Sequence, residues 1–484
     1  MMNYKRSPFK HQLSGTALLM ENLVFGLFDD MGTGKSQTLI DAVCALATQK
    51  KIEACLVVCP NTVKSNWTEP ETGEIAVNGW DNLTHGVYQL QTGKKLWPLE
   101  RLGVHDVQWV VVNYDVVWRN KTEDWLRNFM MKYDTLMALD ESQFIKTPSS
   151  QRTRGCWRLG KHAVRRVCMS GTPITKDIRD AYAQYRFLDW SILGYPNFST
   201  FKNDVIVYDT NGPTVGGKLV TIKEFKNVDK ITALIAPYYR RVEKKDCLDL
   251  PPKVYEKREV PLSKELETMY TQMKDKLIAE FRGIKVKAPI ALTKILKLQQ
   301  LSSGFINYVD EQGEKATECF SSPKVRECLQ LIKDHDGSTI VFYQQNPERE
   351  MLERALDEAN IDYYALHGGV KTHDRKALID GFNQKVKPVT LCQQRTGGIG
   401  VNMVAATLVI FFSNDAGHDI RAQAEDRAHR YGQKESVTYI DLLSTWKGCQ
   451  TIDHWILKLV KEKRDAAGEI IMNEHDLVKF LESL

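Results

Sequence analysis

The stretch FDDMGTGKSQT, residues 28 to 38, indicates how the first part of this chain folds. An apolar run suited to a buried strand, LVFGLF, leads into it, and apolar residues follow at helical spacing as far as residue 46. Strand, glycine loop and helix in this order are the setting of a phosphate-binding loop. The strict pattern has glycine where Asp29 stands, so a plain glycine turn with an exposed lysine is the alternative.

The residue types of this loop suit a polyphosphate. Gly32, Thr33 and Gly34 supply a turn whose backbone N–H groups surround phosphate oxygens, at a helix N-terminus whose dipole favours anions. Lys35 is then expected to reach the β- and γ-phosphates, and the hydroxyl of Ser36 is expected to bind Mg²⁺.

Length and composition set the class of protein. With 484 residues the chain is long enough for roughly two to four domains. It is 43% apolar and 26% charged, as in globular proteins, and its net charge of +5 is compatible with binding nucleic acid without indicating it.

No apolar run is long enough to span a membrane, and the start MMNYKRSPFKHQ has no signal-peptide core, so we expect an intracellular, cytoplasmic location. The ten scattered cysteines indicate neither disulfides nor a metal cluster.

Two series of short apolar runs predict the fold class. The first series continues from LVFGLF through CLVVC, WVVVNY, TLMALD and RRVCMSG, and the second is STIVFY, YYALHG, VTLCQ, TLVIFF and VTYIDL. Helical stretches separate several of them, which favours parallel sheets. We therefore predict an α/β chain with two parallel-sheet domains in tandem.

The stretches outside the two series look different. Residues 205–222 carry Asn-Gly and Gly-Gly turns between β-rich runs and predict a hairpin-like excursion. Apolar residues from Leu266 to Phe281 share one helical face that stops at Gly283, so a mostly helical insertion is expected between the domains. Residues 452–460 carry another apolar helical face, which suggests a helix that braces the second domain or presses on DNA.

Polar residues close two strands of the first series. Asp140 and Glu141 end TLMALDE, where the first carboxylate is placed to hold Mg²⁺ and the second to polarise an attacking water. The alternative is a solvated acidic turn. Ser170, Gly171 and Thr172 end the next strand, where a hydroxyl-rich turn is placed to sense the γ-phosphate.

Two arginines occur far downstream in RAQAEDRAHRYGQ, residues 421–433. Gln423, Arg427 and Arg430 are spaced for one face of a helix, and guanidinium groups from a second domain suit the charge that builds on a γ-phosphate during hydrolysis. The alternative is a surface helix on which Asp426 and Arg430 form an ordinary ion pair.

In their order and their residues, these motifs resemble those of the Swi/Snf-like family of superfamily-two helicase motors. The resemblance extends from about residue 8 to residue 460. HQLSG resembles the family's adenine-reading segment, which implies Gln12 as the base contact, and DDMGTGKS resembles its ADEMGLGKT loop, in which an acid is tolerated. Further similarities lie in CPNTVKSNW, VVNYDVV, DESQFIKTPSS, SGTPI, IAPYYRRVEKKDCLDLPPK, SSPKVRECLQLI, RTGGIGVNMVAA and QAEDRAHRYGQ. The chain departs from the family pattern at Phe28, where a small residue is usual, and at Gln393 and Gln394, which replace Ser-Thr.

The resemblance implies two RecA-like domains that use ATP and Mg²⁺. It suggests four parts: an ATP-binding domain over 1–190, insertions and linker over 191–322, a second RecA-like domain over 323–450 and a helical brace over 451–484. Coupling of nucleotide to motion is implied for Ser170, Gly171, Thr172, Gly398 and Gly400. Matching positions for contacts to a DNA backbone are Asn61, Thr62, Lys64, Asn113, His367, Gly368, Gln394 and Arg395. Each of these is, as the alternative, an ordinary surface polar residue.

The expected function is that of a DNA-dependent ATPase that moves along double-stranded or branched DNA without reading sequence, acting as a monomer. Branch migration, fork remodelling or displacement of bound proteins are the roles implied, in a bacterial or virus-infected cell. A strand-separating helicase of the same superfamily and a DNA-binding scaffold without ATP turnover are the alternatives.

Overall fold

The computed structural model describes residues 4–90, 96–174, 177–209, 214–215, 218–219, 222–283, 288–310, 312–397, 402–415 and 417–462. The chain divides into two compact units, Met1–Asp249 and Leu250–Leu484. The division falls directly before the Pro251-Pro252 pair, where the helical and sheet patterns of the sequence are interrupted.

The first unit carries eleven of the strands. Its helices are α1 Lys10–Glu21, α2 Lys35–Thr48, α3 Lys64–Thr68, α4 Glu74–Asn78, α5 Asn120–Lys132, α6 Gln151–Gly160, α7 Arg179–Leu188, α8 Trp190–Leu193, α9 Phe198–Val205, α10 Val228–Ile235 and α11 Lys244–Cys247. Its strands are β1 Val24–Leu27, β2 Ala54–Cys59, β3 His85–Gln89, β4 Val107–Asn113, β5 Thr135–Asp140, β6 Arg165–Met169, β7 Ile206–Tyr208, β8 Thr214–Val215, β9 Lys218–Leu219, β10 Ile222–Phe225 and β11 Tyr239–Arg240.

Seven of these strands form one parallel sheet in the order β11-β1-β6-β5-β2-β4-β3. The central strands are buried along their length, which explains their continuous apolar runs of Val, Leu and Cys rather than an alternating pattern. Helices pack over this core, where α5 contributes Trp125, Leu126 and Phe129 from one face.

The second unit has its own series of elements. Its helices are α12 Lys264–Gly283, α13 Ala288–Ser303, α14 Pro323–Lys333, α15 Asn346–Glu358, α16 Thr372–Asn383, α17 Gln394–Gly397, α18 His418–Glu425 and α19 Ile452–Lys461. Its strands are β12 Lys253–Pro261, β13 Phe305–Val309, β14 Lys315–Cys319, β15 Ser338–Tyr343, β16 Tyr363–Leu366, β17 Val389–Gln393, β18 Ala406–Phe411 and β19 Val437–Thr445.

Six of these strands form a second parallel sheet in the order β12-β19-β18-β15-β17-β16. Apolar side chains cover both of its faces in two clusters, one around Val341 and Ile410 and one around Phe342 and Phe411. The prediction of two parallel-sheet α/β domains in tandem is therefore confirmed.

The stretches between and after the two series also take the expected form. β7 pairs with β10 and β8 with β9, all antiparallel, as predicted for a hairpin-like excursion, whereas the Asn-Gly and Gly-Gly turns themselves lie outside the described residues. Helix α12 is described as far as Gly283, and the residues 284–287 that would test the predicted stop lie outside the described part of the chain. The predicted four-part division remains a prediction. β11 and β12, which lie in the intervening segment, each join one of the two sheets.

Helix α19 braces the second unit. Its apolar face, formed by Ile452, Trp455, Ile456, Leu459 and Val460, packs in one cluster with residues of α12 and α13. Burying this face supplies the hydrophobic stabilisation that holds the helix against the unit. Among the residues that the structure describes, no helix is both long and apolar enough to cross a membrane.

Candidate active site

The phosphate loop follows β1 and ends where α2 begins. Gly32 and Gly34 adopt positive φ angles of 76° and 87°, a conformation that side chains rarely take, and Gly34 directly precedes the first residue of the helix, Lys35. The strand–loop–helix arrangement predicted from the sequence is therefore present. Ser36 lies in the first turn of α2, at the end of the helix where the dipole favours anions.

The amino group of Lys35 is bonded to the loop's own backbone. Its Nζ donates to the carbonyl oxygens of Asp29 at 2.7 Å and Asp30 at 2.9 Å, and the hydroxyl of Thr33 donates to the same carbonyl of Asp30 at 2.8 Å. The loop thus curls around the lysine, and the lysine side chain lies within the curve where a phosphate is expected.

Gln12 lies against the phosphate loop. It is 2% exposed, its amide donates to the carbonyl oxygens of Thr33 at 3.3 Å and Gly34 at 3.5 Å, and its own oxygen accepts from the backbone N–H of Phe9 at 2.8 Å. A Cβ on Gly34 would meet this amide at 2.0 Å, so only glycine admits Gln12 here. Helix α1 and the loop are thereby joined, and a contact of Gln12 to a base stays a prediction.

Three of the predicted site segments meet at the carboxyl edge of the first sheet. The phosphate loop follows β1, the Ser170–Thr172 turn follows β6, and Asp140 ends β5, and these strands are adjacent in the order β1-β6-β5. Gly171 touches the loop, because a Cβ on it would meet Cγ of Met31 at 2.6 Å. In open parallel sheets, ligands bind at this edge.

Asp140 is held by an indole from another strand connection. The Nε1 of Trp67 donates to its Oδ2 at 3.0 Å, and the hydroxyl of Tyr114 donates to its backbone carbonyl at 2.9 Å. Removal from water and the adjacent Glu141 carboxylate raise the pKa of Asp140 to about 7, while the Trp67 hydrogen bond and Lys35 act in the opposite direction. The surroundings of Asp140 therefore disfavour its charged form on balance.

Glu141 has a strained backbone and a fixed side chain. Its φ of 55° is unusual for a residue with a side chain, and such strain is typical of functional sites. Gln143 donates from Nε2 to a Glu141 carboxylate oxygen at 2.8 Å, and its Oε1 accepts from the hydroxyl of Ser170 at 2.7 Å. The Ser170 oxygen in turn accepts from the N–H of Thr172 at 2.9 Å, so a continuous chain of hydrogen bonds links the acid to the turn after β6.

The structure also explains the acid at the strict glycine position. The Asp29 carboxylate is 1% exposed and binds Arg240 at 2.5 Å and the N–H of Val242 at 3.1 Å. Asp30 accepts from the N–H of Lys244 at 3.0 Å. The two acids therefore attach the loop to the segment that follows β11. Phe28, the other departure, is 2% exposed and packs against aromatic rings in the core.

The DNA contacts predicted in the first unit lie together but differ in exposure. Asn113 ends β4, is 3% exposed, and donates to the Oδ1 of the exposed Asn61 at 2.8 Å. Lys64 is 5% exposed and its Nζ donates to the Leu90 carbonyl at 3.3 Å, and burial lowers its pKa. Thr62 is half-buried and its hydroxyl has no hydrogen-bond partner among the described residues. Contact with DNA by these residues stays a prediction.

In the second unit the predicted contacts follow two adjacent strands. His367 and the exposed Gly368 follow β16, and the His367 Nε2 lies 2.9 Å from a guanidinium nitrogen of Arg349. Gln394 and Arg395 follow β17. Gln394 is fully buried and bonded to the carbonyl of Ser413 and the N–H of Asp415, each at 2.8 Å, whereas the Arg395 side chain is 73% exposed. Of this pair, Arg395 is accessible and Gln394 fixes the loop after β18.

The prediction that Gln423, Arg427 and Arg430 share one helical face is wrong. Helix α18 ends at Glu425, so only Gln423, which is half-buried, lies on it. After the helix, the Arg427 N–H donates to the Ala424 carbonyl at 3.3 Å, and the Arg427 carbonyl accepts from the N–H of Met403 at 3.0 Å. The Arg430 Nε donates at 2.7 Å to the backbone carbonyl of Asp426.

Arg427 itself is 1% exposed. It lies over the ring of Phe342 and donates to the Cys392 sulfur at 3.2 Å, while its Nε and one terminal nitrogen have no partner among the residues the structure describes. A buried guanidinium with unused donors is costly, which is typical of a functional group. The coupling residues Gly398 and Gly400 lie outside the described residues.

Sequence reasoning missed three residues of the site. Trp67, Gln143 and Arg240 all lie in stretches whose motifs are recognisable, yet each acts on a partner in another segment: Asp140, Ser170 and Asp29. The only signal was position within those stretches, since no spacing rule pairs residues on different strands.

Family models match most of the chain. A model described as the SNF2-related domain matches residues 17–306, and one described as the helicase conserved C-terminal domain matches residues 323–432.

Several curated proteins are similar over most of this chain. YwqA of Bacillus subtilis (strain 168), provisionally named an ATP-dependent helicase/translocase, is 24% identical over 97% of this chain and 49% of its own length. The uncharacterized ATP-dependent helicase MG018 of Mycoplasma genitalium is 23% identical over 98% of this chain and 43% of its own. Snf22 of Schizosaccharomyces pombe, a SWI/SNF chromatin-remodeling complex subunit, is 24% identical over 95% of this chain and 28% of its own. The chain thus spans about half the length, or less, of these curated relatives.

Among solved structures, the SWI2/SNF2 ATPase core of Sulfolobus solfataricus in complex with dsDNA is 23% identical, with a TM-score of 0.42 over 99% of this chain and 96% of that one.

Proposed function

This chain belongs to the SNF2-related family, and from that premise we propose that it hydrolyses ATP to move along double-stranded DNA. The family that the sequence motifs resemble is thereby confirmed. The observation that carries the proposal is the meeting of the phosphate loop, the Asp140-Glu141 pair and the Ser170–Thr172 turn at the ends of three adjacent parallel strands.

The phosphate loop supplies the binding half of the proposed reaction. Lys35 exchanges the backbone carbonyls of Asp29 and Asp30 for phosphate oxygens, which bear more negative charge. Gln12 is already joined to the loop by its amide, so binding of a base by α1 and of phosphates by the loop is coupled. Gly32, Thr33 and Gly34 provide the backbone N–H groups around the phosphates.

The chain also has the donors that suit Mg²⁺. Ser36 and Asp140 offer hydroxyl and carboxylate oxygens, the hard ligands that this ion prefers together with nucleotide phosphates. Burial and neighbouring carboxylates raise the pKa of Asp140 to about 7, and a bound cation would stabilise its charged form. The ion supplies neutralisation of phosphate charge when it is bound. Trp67 holds one Asp140 oxygen and leaves the other for that role.

Glu141 is the proposed base that orients and polarises the attacking water. Gln143 fixes its carboxylate and connects it to Ser170, so displacement of the Ser170–Thr172 turn reorients the base. Gly171 contacts Met31 of the phosphate loop, which gives the turn a means of sensing the γ-phosphate.

We assign Arg427 and Arg430 to stabilisation of the charge that develops on the γ-phosphoryl group, with Gln423 as an additional nucleotide contact. The unused guanidinium donors of Arg427 support this assignment. Gly398 and Gly400 are assigned, with Ser170, Gly171 and Thr172, to coupling of hydrolysis to motion.

The DNA track is proposed to include Asn61, Thr62, Lys64, Asn113, His367, Gly368, Gln394 and Arg395. In each unit these positions follow neighbouring strands at the carboxyl edge of a sheet, which supports a common surface within that unit. Contacts to a backbone carry no sequence information, so binding is expected to be salt-dependent and sequence-nonspecific. We propose a monomer that remodels branched DNA or displaces bound proteins, in the cytoplasm of a bacterial or virus-infected cell.

Steady-state ATP hydrolysis tests the proposal. Rates are compared with duplex, single-stranded and four-way-junction DNA, for the wild-type chain and for Lys35→Ala. We expect DNA containing duplex to stimulate most and the substitution to abolish turnover, because the lysine charge at the phosphates is lost. Equal rates with and without nucleic acid would contradict a DNA motor.

Three further readouts, strand separation, DNA binding and junction conversion, separate the alternatives. A tailed duplex that is unwound with ATP indicates a strand-separating helicase, and DNA binding without phosphate release indicates a scaffold. A four-way junction left unchanged by enzyme and ATP would exclude branch migration while leaving movement along DNA intact.

A further inference from the structure

We propose that Arg240 is a positioning residue of the ATP site, which neutralises the buried acid of the phosphate loop and thereby sets the affinity of the loop for a triphosphate. The inference rests on the proposed function and extends it to a residue that lies about 200 positions beyond the loop in the sequence. Arg240 ends β11, the edge strand beside β1.

One guanidinium joins three segments of the first unit. The Nη2 of Arg240 donates to the Asp29 carboxylate at 2.5 Å, and its Nη1 donates to the backbone carbonyl of His11 at 2.6 Å. His11 directly precedes Gln12, whose amide reaches the loop from the other side. Arg240 therefore holds the base-reading helix and the start of the phosphate loop at the same time.

Gly15 of α1 leaves the space that the Arg240 guanidinium occupies. A Cβ on Gly15 of α1 would lie 2.7 Å from the Nη2 and 2.8 Å from the Cζ of Arg240. Both distances are shorter than a Cβ atom normally approaches another heavy atom. The absence of a side chain at Gly15 is thus what lets Arg240 reach Asp29. The side chains of Arg240 and Asp29 are 11% and 1% exposed, so the pair is largely withdrawn from solvent.

The backbone of the same segment is anchored independently. The N–H of Phe28 donates to the Arg240 carbonyl at 3.0 Å, and the N–H of Asp30 donates to the Val242 carbonyl at 2.9 Å. Because these bonds involve no side chain of Arg240, replacing that side chain alters mainly the charge balance of the loop rather than its attachment.

The charge balance matters because the loop must accept a polyanion. Asp29 is a buried carboxylate at the start of that loop, and in a low-dielectric site an uncompensated negative charge repels phosphates strongly. The same residue also touches Lys35, because the Lys35 Nζ donates to the Asp29 backbone carbonyl. With Arg240 in place the acid is neutralised, and the lysine charge remains available to the nucleotide.

The second arginine of the pair offers a matched control. Arg241 is the next residue, carries the same charge, and lies 3.7 Å from the neighbouring loop acid, Asp30. Its side chain is 52% exposed, so solvent screens its contribution. The two adjacent substitutions, Arg240→Gln and Arg241→Gln, therefore differ in burial and not in the size of the change.

The experiment measures equilibrium binding of a fluorescent ATP analogue to the full chain. For Arg240→Gln we expect the Kd to rise roughly 10- to 100-fold, the effect of one uncompensated charge in a partly desolvated site. For Arg241→Gln we expect a change within about twofold, as for an exposed ion pair. The decisive variant is the double substitution Asp29→Asn with Arg240→Gln, which removes both charges and is expected to bind more tightly than Arg240→Gln alone.

The possible binding results test the role of Arg240 separately from the proposed ATPase function. If wild type binds the analogue and Arg240→Gln binds as well as Arg241→Gln, the role of Arg240 is refuted and the proposed function stands. If the double variant binds as weakly as Arg240→Gln, the arginine acts by packing and the charge argument is wrong. A wild-type chain that binds no analogue overturns the proposed function and this inference together. Should Arg240→Gln fail to fold, Arg240→Lys, which keeps the charge, is compared: binding within about threefold of wild type supports neutralisation, and a larger loss contradicts it.

Discussion

The indole N–H of Trp67 donates a 3.0 Å hydrogen bond to the carboxylate of Asp140, the proposed magnesium ligand. Trp67→Phe keeps the ring but removes this donor. The carboxylate then loses one interaction that favours its charged form, so we expect the Mg²⁺ concentration for half-maximal ATP hydrolysis to rise about three- to tenfold. Titration of Mg²⁺ at saturating ATP measures the effect.

Trp157→Phe provides the control for Trp67. It also removes an indole hydrogen bond in the first unit, a 3.0 Å bond to the carbonyl of Ala183. Both variants are expected to lose similar stability in thermal melts. An equal Mg²⁺ requirement in the two variants would show that Trp67 does not act on the metal site.

Gln143 and Ser170 are expected to act as one unit. Gln143→Ala and Ser170→Ala each remove the 2.7 Å hydrogen bond between Gln143 and Ser170, which connects Glu141 to the turn after β6. Each substitution should therefore lower kcat for ATP hydrolysis roughly 10-fold with little change in nucleotide binding. The kcat of the double variant should be about the same as that of each single variant, because all three lose the same hydrogen-bonded link.

Ser142→Ala is the matched control for this link. Ser142 is also fully buried and donates to a glutamine, Gln184, at 2.6 Å, but that bond does not reach Glu141. The variant is expected to lose stability without a comparable loss of kcat. Multiplicative effects of Gln143→Ala and Ser170→Ala on kcat would argue against a shared path.

Arg427→Met is expected to separate stability from turnover. The residue is buried with two unpartnered guanidinium nitrogens among the described residues, so an apolar side chain of similar length should leave the free energy of unfolding unchanged or raise it by about 1 kcal/mol. ATP turnover should fall roughly 1000-fold. Denaturant unfolding and phosphate release measure the two effects.

Arg421→Met gives the opposite pattern. Arg421 is also buried, but it binds Asp441 at 2.5 Å and Glu425 at 2.8 Å. Removing it leaves the buried Asp441 without this ion pair, whereas Glu425 keeps its ion pair with Lys253 at 3.0 Å. A loss of about 3–5 kcal/mol of stability is expected. If Arg427→Met destabilises the chain as much, its guanidinium is structural.

Asp41 in α2 predicts a pH dependence of stability. It is 1% exposed, and burial raises its pKa from 3.8 to about 6, with the hydrogen bond from Trp80 acting in the opposite direction. Because the folded pKa lies above the unfolded one, the folded state takes up the proton first as pH falls. The contribution of Asp41 to stability therefore increases as pH falls from about 6 to about 4 and is least favourable at neutral pH.

Asp41→Asn should accordingly raise the free energy of unfolding at pH 7 by up to about 2 kcal/mol, and the gain should vanish near pH 4. Denaturant unfolding from pH 4 to pH 8 tests this. Asp124→Asn, on the exposed face of α5, is the control and should show a difference below about 0.5 kcal/mol at neutral pH. A gain in Asp41→Asn that is constant with pH would rule out the charge of Asp41 as its cause.

The sheets were predictable because buried parallel strands have continuous apolar sequences, which can be recognised from a few adjacent residues. TLMALD and STIVFY are both found as strands at their predicted places. The end of α18 was not predictable, because the residues from Asp426 to Arg430 continue the helical spacing in the sequence. The competing bond between Arg427 and Met403 comes from a distant segment.

The same distinction applies to the site. The phosphate loop could be located because its glycines, lysine and serine are adjacent in the sequence. Asp29 was recognisable as a departure, but its partner Arg240 became apparent only through the pairing of β11 with β1. Residues that act through a neighbour on another strand leave no periodic signal, so Trp67 and Gln143 were also missed.

The pairing of β12 with β19 has a consequence for synthesis of the protein on the ribosome. The seven-stranded sheet of the first unit has all its strands once Arg240 has emerged, whereas β12 is made next and pairs with β19, Val437–Thr445, the last strand among the described residues. During translation of the intervening residues its hydrogen-bonding edge stays open, and such edges invite association with other chains. Nascent chains arrested before residue 437 should therefore recruit chaperones through the second half of the polypeptide while the first half has already matured.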